Sequence, residues 1–325
     1  MKFKGLLVSA RVALTAAGLA VAAFSGADAL ASAPMAKTNA PGFYRFMLGD
    51  FEVTIVSDGT VELPVDTLLK GKSKEQVDEI LAKSYLRSPL ETSVDGFLIN
   101  TGSKLVLVDT GAGTLFGPTL GKLLANLKAS GYQPEQVDEI YITHMHPDHV
   151  GGLIADGKAA FPNAVVRADK RESDYWLSDE NAQKAPQEMK GFFQGVKATV
   201  GAYAAAGKLK PFTGNTELVP GIKAVSSVGH TPGHTTYVVE SQGQKLALVG
   251  DLVHVAAVQF PDPTVTIGFD SDTKEAESER QKQFADAAKG GYLLGAAHLP
   301  FPGTGHLTAE GKGYRFIPLN YSQIH

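Results

Sequence analysis

The 325-residue sequence contains no cysteine, and this absence narrows the chemistry open to the protein. Without cysteine the chain cannot form disulfide bonds, so the stability of the fold must come from its buried core. Thiolates are also excluded as metal ligands, which leaves histidine and carboxylate side chains to hold any metal ion. The chain is long enough to bury a large core, either as one large domain or as two small ones.

An excess of basic charge is also missing. The sequence has 30 Lys and Arg against 34 Asp and Glu, a formal net charge of −4. Surfaces that bind nucleic acids or anionic membranes need clustered Lys and Arg, so we expect no nucleic-acid partner. No run of 18 or more apolar residues is present, the length that a membrane-spanning helix requires.

The N-terminus has the pattern of an export signal. Lys2, Lys4 and Arg11 are basic, residues 12–24 are apolar, and small residues follow. This pattern predicts a signal peptide over residues 1–29, with a second cleavage site at 33 and an uncleaved anchor as the alternative. We therefore expect a periplasmic or secreted protein, without membrane association after cleavage, whose residues 34–325 form a single hydrolase domain.

The stretch YITHMHPDHVGGL, residues 141–153, is the strongest signal in the sequence. It places His144, His146, Asp148 and His149 within six positions, directly after an apolar, strand-like run. Imidazoles and carboxylates bind zinc and similar ions, so this spacing indicates a metal site. A polar surface turn that happens to be rich in histidine is the alternative.

The remaining sequence alternates between strand-like and helical segments. Residues 41–48 are expected to be a loop, and Asp58-Gly59 a turn. The predicted strands are 51–57, 61–63, 94–100, 104–109, 137–143, 164–168, 221–228, 235–240, 245–249 and 292–297. The predicted helices are 73–85, 120–130, 170–177 and 273–289, and the polar, glycine-containing helical stretch 178–208 is a candidate lid or insertion. Two strand-rich halves, each followed by helices, favour two sheets packed face to face with helices outside.

Seven candidate ligands lie at strand ends or in tight turns: His144, His146, Asp148, His149, His230, Asp251 and His298. They come from both halves of the chain, which places the site at an edge that the two sheets share. One tetrahedral zinc needs three protein ligands, so seven donors with one shared carboxylate fit two metal ions.

At this point the sequence resembles the metallo-β-lactamase superfamily. The resemblance rests on HMHPDH at 144–149, GHTPGH at 229–234, GD at 250–251, AHLPFPG at 297–303 and VDTG at 108–111, in this order. It implies an α+β fold, a four-layer αβ/βα sandwich. It also implies a division of the ligands, with one ion on His144, His146 and His230, the other on Asp148, His149 and His298, and Asp251 bridging them.

Two further segments are similar to one branch of that superfamily, the methyl parathion hydrolase-like enzymes. These segments are LVHVAAVQFPDP at 252–263 and AAKGGYLLGAAHLPFPGTGH at 287–306. The branch includes organophosphate triesterases, aryl-esterases and lactonases, commonly as homodimers. The resemblance therefore implies a small-molecule lactone or ester as substrate and a homodimeric assembly.

The chemistry expected of such a site is hydrolysis by a hydroxide that two metal ions share and activate. Asp251, Asp148 and His254 are the candidate catalytic residues, and no G-x-S-x-G nucleophile motif is present. Zinc is the expected metal, although Mn, Co or Fe would accept the same ligands. Asp109 and His234 are expected to support the ligands from behind.

Aromatic and bulky side chains are expected around the substrate. The branch resemblance implies that Phe116, Trp176 and Phe192 line the substrate pocket, with Phe193 as an alternative to Phe192 and a core position as the alternative for each. His254, Ile267 and Phe269 are the other predicted pocket residues. For His254 the open roles are orienting a substrate carbonyl, protonating a leaving group and filling space. His306 is expected to be structural and His325 to lie on the surface.

The sequence thus favours a binuclear hydrolase of aromatic lactones and aryl esters, of the dihydrocoumarin type, with promiscuous organophosphate triesterase activity. The main alternative is a dedicated organophosphate triesterase. A mononuclear iron dioxygenase and a non-catalytic metal-binding protein are further alternatives from other classes, because one fold is reused for many chemistries.

Overall fold

The computed structural model describes Ala33 and residues 35–324. The signal peptide predicted for residues 1–29 lies outside the described residues. Ala33 and residues 35–39 are exposed and form no helix or strand, whereas Ala40–His325 is a compact unit. None of the helices in the described part of the chain is long and apolar enough to cross a bilayer.

Short strands and helices alternate along the compact unit. The strands are β1 (Phe43–Leu48), β2 (Phe51–Leu63), β3 (Leu69–Lys70), β4 (Leu90–Asn100), β5 (Leu105–Val108), β6 (Glu139–Tyr141), β7 (Ile154–Ala155), β8 (Lys158–Ala159), β9 (Val165–Arg167), β10 (Thr216–Val219), β11 (Ile222–Ser226), β12 (Thr235–Ser241), β13 (Gln244–Leu248), β14 (Thr266–Ile267), β15 (Leu293–Gly295), β16 (Thr304–Glu310) and β17 (Gly313–Pro318). The α-helices are α1 (Val65–Leu68), α2 (Lys74–Lys83), α3 (Leu123–Ala129), α4 (Pro147–Val150), α5 (Lys170–Trp176), α6 (Asp179–Lys184), α7 (Lys190–Ala205), α8 (Ala256–Gln259) and α9 (Thr273–Gly290).

Two large mixed sheets form the centre of the fold. The first has the strand order β1-β2-β4-β5-β6-β9, and the second has the order β10-β11-β12-β13-β15-β16-β17. Most neighbours are antiparallel, but β5 runs parallel to β6, β6 to β9, and β13 to β15. The carboxyl ends of these parallel strands meet at one edge, where α/β sheets usually place their ligands.

Both faces of each sheet are covered. In β5, Val106 and Val108 belong to the core between the sheets, while Leu105 and Leu107 belong to the core under the helices α3, α5 and α7. This double burial explains why β5 is a continuous apolar run rather than an alternating one. On the far side of the second sheet, α9 packs through Phe284 and Ala287. The order helix, sheet, sheet, helix confirms the predicted four-layer αβ/βα sandwich.

Several element predictions are confirmed. Helix α2 begins with a capping box, in which Ser73 accepts from the Gln76 N–H and the Gln76 side chain accepts from the Ser73 N–H. A cap of this kind satisfies N–H groups that the first helical turn leaves free. Helix α9 likewise begins where the charged amphipathic pattern starts, with Asp272 as its cap.

Two predictions were wrong, and one element was missed. Residues 43–48 form strand β1 rather than a loop, because Phe46 and Leu48 alternate inward and the strand pairs along its length with β2. Asp58-Gly59 is a bulge within the long strand β2 rather than a turn, since β2 pairs with β4 on both sides of it. The C-terminal hairpin of β16 and β17 was not predicted, because exposed residues interrupt its apolar pattern.

Candidate metal centre

The predicted ligands extend from loops at the shared sheet edge. His144, His146, Asp148 and His149 lie in the loop after β6 and in helix α4. His230 precedes β12, Asp251 follows β13, and His298 follows β15. Short rigid strands therefore hold the loops from both sheets at one edge, which preorganises the ligands.

The structure brings all seven predicted ligands together. Donor atoms of His144, His146, His230 and Asp251 lie within 4.8 Å of one another, and those of Asp148, His149 and His298 do so as well. Six of the seven side chains are buried, and Asp148 is half-buried. Two ligand groups side by side suit two divalent metal ions.

The carboxylate of Asp251 lies between the two groups. Its Oδ2 atom is 3.3 Å from Nε2 of His230 and 3.2 Å from Nε2 of His298, which belong to different groups. Its Oδ1 atom is 3.2 Å from Nε2 of His149. A carboxylate with this placement can serve both ions at once.

The hydrogen-bonding of these atoms fits a metal. Among the described residues, Nε2 of His144, Nε2 of His149 and Oδ1 of Asp251 are buried and have no hydrogen-bond partner. Buried polar atoms are nearly always paired, and a set of unpaired donor atoms that converge is expected where an ion is bound. Nitrogen and carboxylate oxygen atoms are also the donors that divalent transition metals prefer.

The electrostatics of two ligand histidines and of the shared carboxylate point the same way. Burial lowers the pKa of His144 and of His146 well below the ordinary value, and neighbouring imidazoles lower it further. Burial acts to raise the pKa of Asp251, but the surrounding histidines, His149 and His298 foremost, hold it well below its usual range. The two histidines are therefore neutral and Asp251 is ionised, which are the forms that bind metal.

Two ligand histidines are oriented by carboxylates that contact their Nδ1 atoms. Nδ1 of His149 lies 2.8 Å from Oδ2 of Asp109, which also accepts from the Thr143 hydroxyl. Nδ1 of His230 lies 2.8 Å from Oδ1 of Asp270. Carboxylates in this position set the tautomer and the ring orientation of a ligand histidine. Asp109 was among the predicted supporting residues, whereas Asp270 was missed because it stands alone in a loop without a motif.

His234 lies beside the ligands and makes no hydrogen bond to their side chains. Its Nε2 accepts from the Asp251 N–H at 3.1 Å, and its Nδ1 is 2.9 Å from the Ser227 hydroxyl. Burial lowers the pKa of His234 to about 3, so its imidazole is neutral and can accept this bond. His234 thereby fixes the backbone of the shared carboxylate.

His254 lies directly beside the metal donors, as expected of a candidate catalytic residue. Its Nε2 is 3.1 Å from Oδ2 of Asp251, and its donor atoms cluster with those of Asp251 and His298 within 4.8 Å. Its ring stacks on that of His298 with centroids 5.0 Å apart. The position suits a group that acts on a substrate held beside the ions.

A cavity of about 140 Å³ opens directly onto this cluster. Its polar floor is formed by His146, Asp148, Asp251, His254 and His298. Its walls are apolar and aromatic, formed by Val61, Leu63, Phe116, Leu120, Phe192 and Phe269. A larger groove of about 1090 Å³ lies elsewhere, along β1 and the β12–β13 turn, and its lining contains none of the predicted ligands.

Two predicted pocket residues do not line this cavity. Trp176 is fully buried in the core under α5 and α7, where its ring packs edge-on against His146 at 5.4 Å between centroids. Ile267 is fully buried in a separate cluster with Val65 and Leu69. Both predictions were wrong because the sequence does not distinguish a bulky apolar residue that faces the substrate from one that faces the core. Between the alternatives Phe192 and Phe193, the wall residue is Phe192, and Phe193 lies in the core.

The cavity wall depends on a buried carboxylate that the sequence did not reveal. Asp58, in the bulge of β2, accepts from the backbone N–H groups of Ala112, Gly121 and Leu123 at 2.9, 2.9 and 3.0 Å. These bonds hold both ends of the loop that carries Phe116. An Asp-Gly pair is typical of a turn, so the sequence did not indicate that Asp58 is a buried hydrogen-bond acceptor.

The Gly-Gly pair after the histidine turn allows two loops to pack backbone against backbone. A Cβ atom on Gly151 would lie 1.9 Å from the carbonyl oxygen of Ala112, and one on Gly152 would lie 1.9 Å from that of Thr110. The Thr110 N–H donates to the carbonyl of His149 at 2.8 Å across the same contact. The glycines therefore fix the VDTG loop against the metal-binding turn.

Comparisons with known proteins agree with this site. The family model described as "Metallo-beta-lactamase superfamily" matches residues 91–289, more than half of the chain. The crystal structure of a hydrolase, AbOPH, in the beta lactamase superfamily is 41% identical, covers 88% of this chain and 100% of that chain, and superposes with a TM-score of 0.84.

Two lactonases are also similar. AidC, a dizinc quorum-quenching lactonase with its bound product, is 27% identical over 87% of this chain and 99% of that chain, with a TM-score of 0.80. An N-acyl homoserine lactonase from Bacillus sp is 26% identical over 248 residues, 70% of this chain and 87% of that enzyme. The chain belongs to the metallo-beta-lactamase superfamily, as a metal-dependent hydrolase that acts on ester bonds.

Proposed function

We propose that this protein hydrolyses compact aromatic lactones and aryl esters, with organophosphate triesters as promiscuous substrates. The observation that carries the proposal is the small aromatic cavity over the metal ligands. Phe116 and Phe192 meet edge to face across it, with ring centroids 6.1 Å apart, and Phe269 lies 6.1 Å from His254. Aromatic rings in such positions favour a flat aromatic group over a polar or charged one.

The size of the cavity supports a compact substrate. Pockets for drug-sized ligands usually measure about 300–1,000 Å³, whereas this one measures about 140 Å³. A fused aromatic lactone fills little more than one ring system. A long acyl chain would have to leave the cavity past Phe116, whose side chain is partly exposed at its rim.

When bound, two divalent ions supply Lewis acidity and lower the pKa of water, which provides a nucleophile near neutral pH. His144, His146 and His230 would hold one ion, and Asp148, His149 and His298 the other, with Asp251 shared. The protein's own contribution is to keep these side chains buried and oriented, and to exclude bulk water from the reacting centre.

His254 orients the substrate in this proposal. Burial lowers the pKa of His254, so its imidazole is neutral at pH 7. A neutral imidazole donates one N–H hydrogen bond and is a weak proton donor, so it suits holding a carbonyl or ester oxygen more than protonating a leaving group. Phenolate leaving groups are stable anions and need little protonation.

A second candidate is hydrolysis of N-acyl homoserine lactones, because the similar Bacillus enzyme carries that name and AidC is bound to an N-acyl homoserine product. A dedicated organophosphate triesterase of the methyl parathion hydrolase-like branch is the third, since the same aromatic cavity would take the aryl group of a triester. An iron dioxygenase would consume oxygen, which an oxygen electrode detects. A purely metal-binding protein would have no use for a cavity over its ligands.

The deciding experiment compares kcat/KM of the metal-loaded mature protein on dihydrocoumarin, on N-hexanoyl homoserine lactone and on a dimethyl aryl phosphotriester. We expect dihydrocoumarin to lead by at least about a hundredfold, roughly 2.7 kcal/mol of transition-state stabilisation. A lead for the acyl lactone or for the triester would assign the corresponding alternative. No turnover of any of the three by a protein with two bound metals would reject the proposed substrate class.

We further propose that zinc occupies the site, that the protein is exported, and that it is a homodimer. The zinc proposal draws support from the histidine-rich ligand set, the export proposal from the N-terminal pattern of residues 1–29, and the homodimer from the branch resemblance. Elemental analysis of the purified protein, N-terminal sequencing of the mature chain and light scattering test the three separately.

A further inference from the structure

Glu172 is a fully buried carboxylate that accepts four hydrogen bonds and does not line the cavity. Its Oε1 accepts from the Met145 N–H and from the Trp176 indole N–H, both at 2.8 Å. Its Oε2 accepts from the Thr231 hydroxyl at 2.9 Å and from the Gly233 N–H at 2.7 Å. All four partners donate, so the group acts as an ionised carboxylate with each oxygen shared by two donors.

Three of the four donors belong to the two loops that carry His144, His146 and His230, and the fourth, Trp176, lies on α5 itself. Met145 stands between His144 and His146, and Thr231 directly follows His230. The two loops lie on different sheets and are far apart in sequence. One side chain on α5 thus fixes the backbone beside three ligands at once.

The packing leaves little freedom for this arrangement to shift. A Cβ atom on Gly233 would lie 2.5 Å from the backbone nitrogen of Glu172 and 2.8 Å from its Cβ. The GHTPGH loop therefore needs glycine at this position to reach the carboxylate. Helix α5 is itself fixed at its start by Asp169, whose side chain accepts from the Arg171 N–H.

We propose that Glu172 is a positioning residue that sets the affinity of the metal ion held by His144, His146 and His230. It acts through the backbone of the two ligand loops, because its oxygens are occupied by the four donors. The inference rests on the two-metal site of the proposed function and is independent of the substrate. The ion on Asp148, His149 and His298 should be far less sensitive, since none of the four donors lies in a residue adjacent to those ligands.

Glu172→Gln tests this assignment with almost no change in volume. The amide NH₂ would face the Thr231 and Gly233 side, because the Thr231 hydroxyl can turn and accept, and the amide oxygen would keep the Met145 and Trp176 bonds. The Gly233 N–H then meets another donor, so the loop that carries His230 must move. Glu180→Gln, at an exposed position on α6, is the matched control.

The readout is zinc binding, measured by competition with a chromophoric chelator, together with zinc anomalous scattering to assign the two positions. We expect one of the two dissociation constants to rise about 10- to 100-fold in Glu172→Gln, the usual effect of losing a group that orients a ligand. Zinc occupancy should fall at the His144, His146 and His230 position. Thr231→Val removes a single donor, and we expect a loss of about three- to tenfold at the same position.

Unchanged dissociation constants in Glu172→Gln, or equal losses at both positions, would overturn the assignment. If Glu172→Gln does not fold, Thr231→Val decides by the same criterion. A wild-type protein that binds fewer than two zinc ions would overturn the two-metal site, and this assignment with it, before any variant is compared.

Discussion

Nδ1 of His230 lies 2.8 Å from Oδ1 of Asp270, and neither side chain has any exposed surface. Asp270 is held in turn by the Ile267 N–H at 3.1 Å and by the guanidinium of Arg280, 3.6 Å away. Arg280 is fully buried and donates to the carbonyls of Leu252 and Val265. The orientation of one ligand histidine therefore depends on a chain of contacts that extends to helix α9.

Asp270→Asn is the direct test of this chain. The amide keeps the shape but loses the charge that fixes the tautomer of His230, so metal affinity should fall about 10- to 100-fold. Chelator competition measures the loss. Asp286→Asn, at an exposed position on α9, should bind metal like the wild type. Equal affinity in the two variants would show that Asp270 does not orient His230.

Asp109 is the corresponding carboxylate that contacts Nδ1 of His149. Its backbone conformation allows the effect on metal affinity to be tested separately from the effect on stability. Its φ of 58° lies in the left-handed region, which asparagine tolerates better than alanine does. Asp109→Asn should thus lower metal affinity about 10- to 100-fold without adding backbone strain. Asp109→Ala adds backbone strain of about 1–3 kcal/mol. Thermal unfolding of the two apoproteins separates these effects, and equal melting temperatures would contradict the strain argument.

Removal of the metals should lower stability as well as activity. The ligands converge with several unpaired donor atoms, so the bound ions stabilise the native state selectively. At free zinc about 100 times the dissociation constant, the expected stabilisation is about 2.7 kcal/mol. Chelated protein should lose turnover and melt at a lower temperature, and added zinc should restore both. A melting temperature independent of zinc would contradict this view of the cluster.

The sequence predicted the layers and the ligand loops because both depend on local signals. Apolar runs such as 105–108 mark buried strands, and HMHPDH and GHTPGH put donors at fixed spacing after or before strands. The convergence of His230 and His298 on the same edge followed from their place at strand ends. Such signals depend on only a few neighbouring residues in the sequence.

The supporting carboxylates could not be predicted from local sequence signals. Glu172 and Asp270 are single acids within ordinary helical or loop sequence, and their partners in the ligand loops are between 27 and 61 positions distant. Nothing local distinguishes them from exposed acids. Their roles arise from burial and from contacts that only the folded chain creates.

The cavity wall shows the same limit at the scale of one residue. Phe192 and Phe193 are identical and adjacent, yet Phe192 faces the cavity, 5.3 Å from the ring of His146, while Phe193 packs against Trp176 at 4.7 Å. Helical geometry turns neighbouring side chains by about 100°, so the orientation of α7 decides which one meets the substrate. The sequence alone could not set that orientation.

These two phenylalanines therefore give opposite expectations. Phe193→Ala empties a core position and should cost about 3–5 kcal/mol of unfolding free energy. Phe192→Ala should leave stability nearly unchanged and lower kcat/KM for aryl lactones by up to about tenfold, since one aromatic contact contributes about 0.5–1.5 kcal/mol beyond its buried area. Denaturant unfolding and steady-state kinetics on both variants check the pair. If Phe192→Ala were the destabilised variant, or if both kept wild-type kinetics, the aromatic cavity would not be the substrate site.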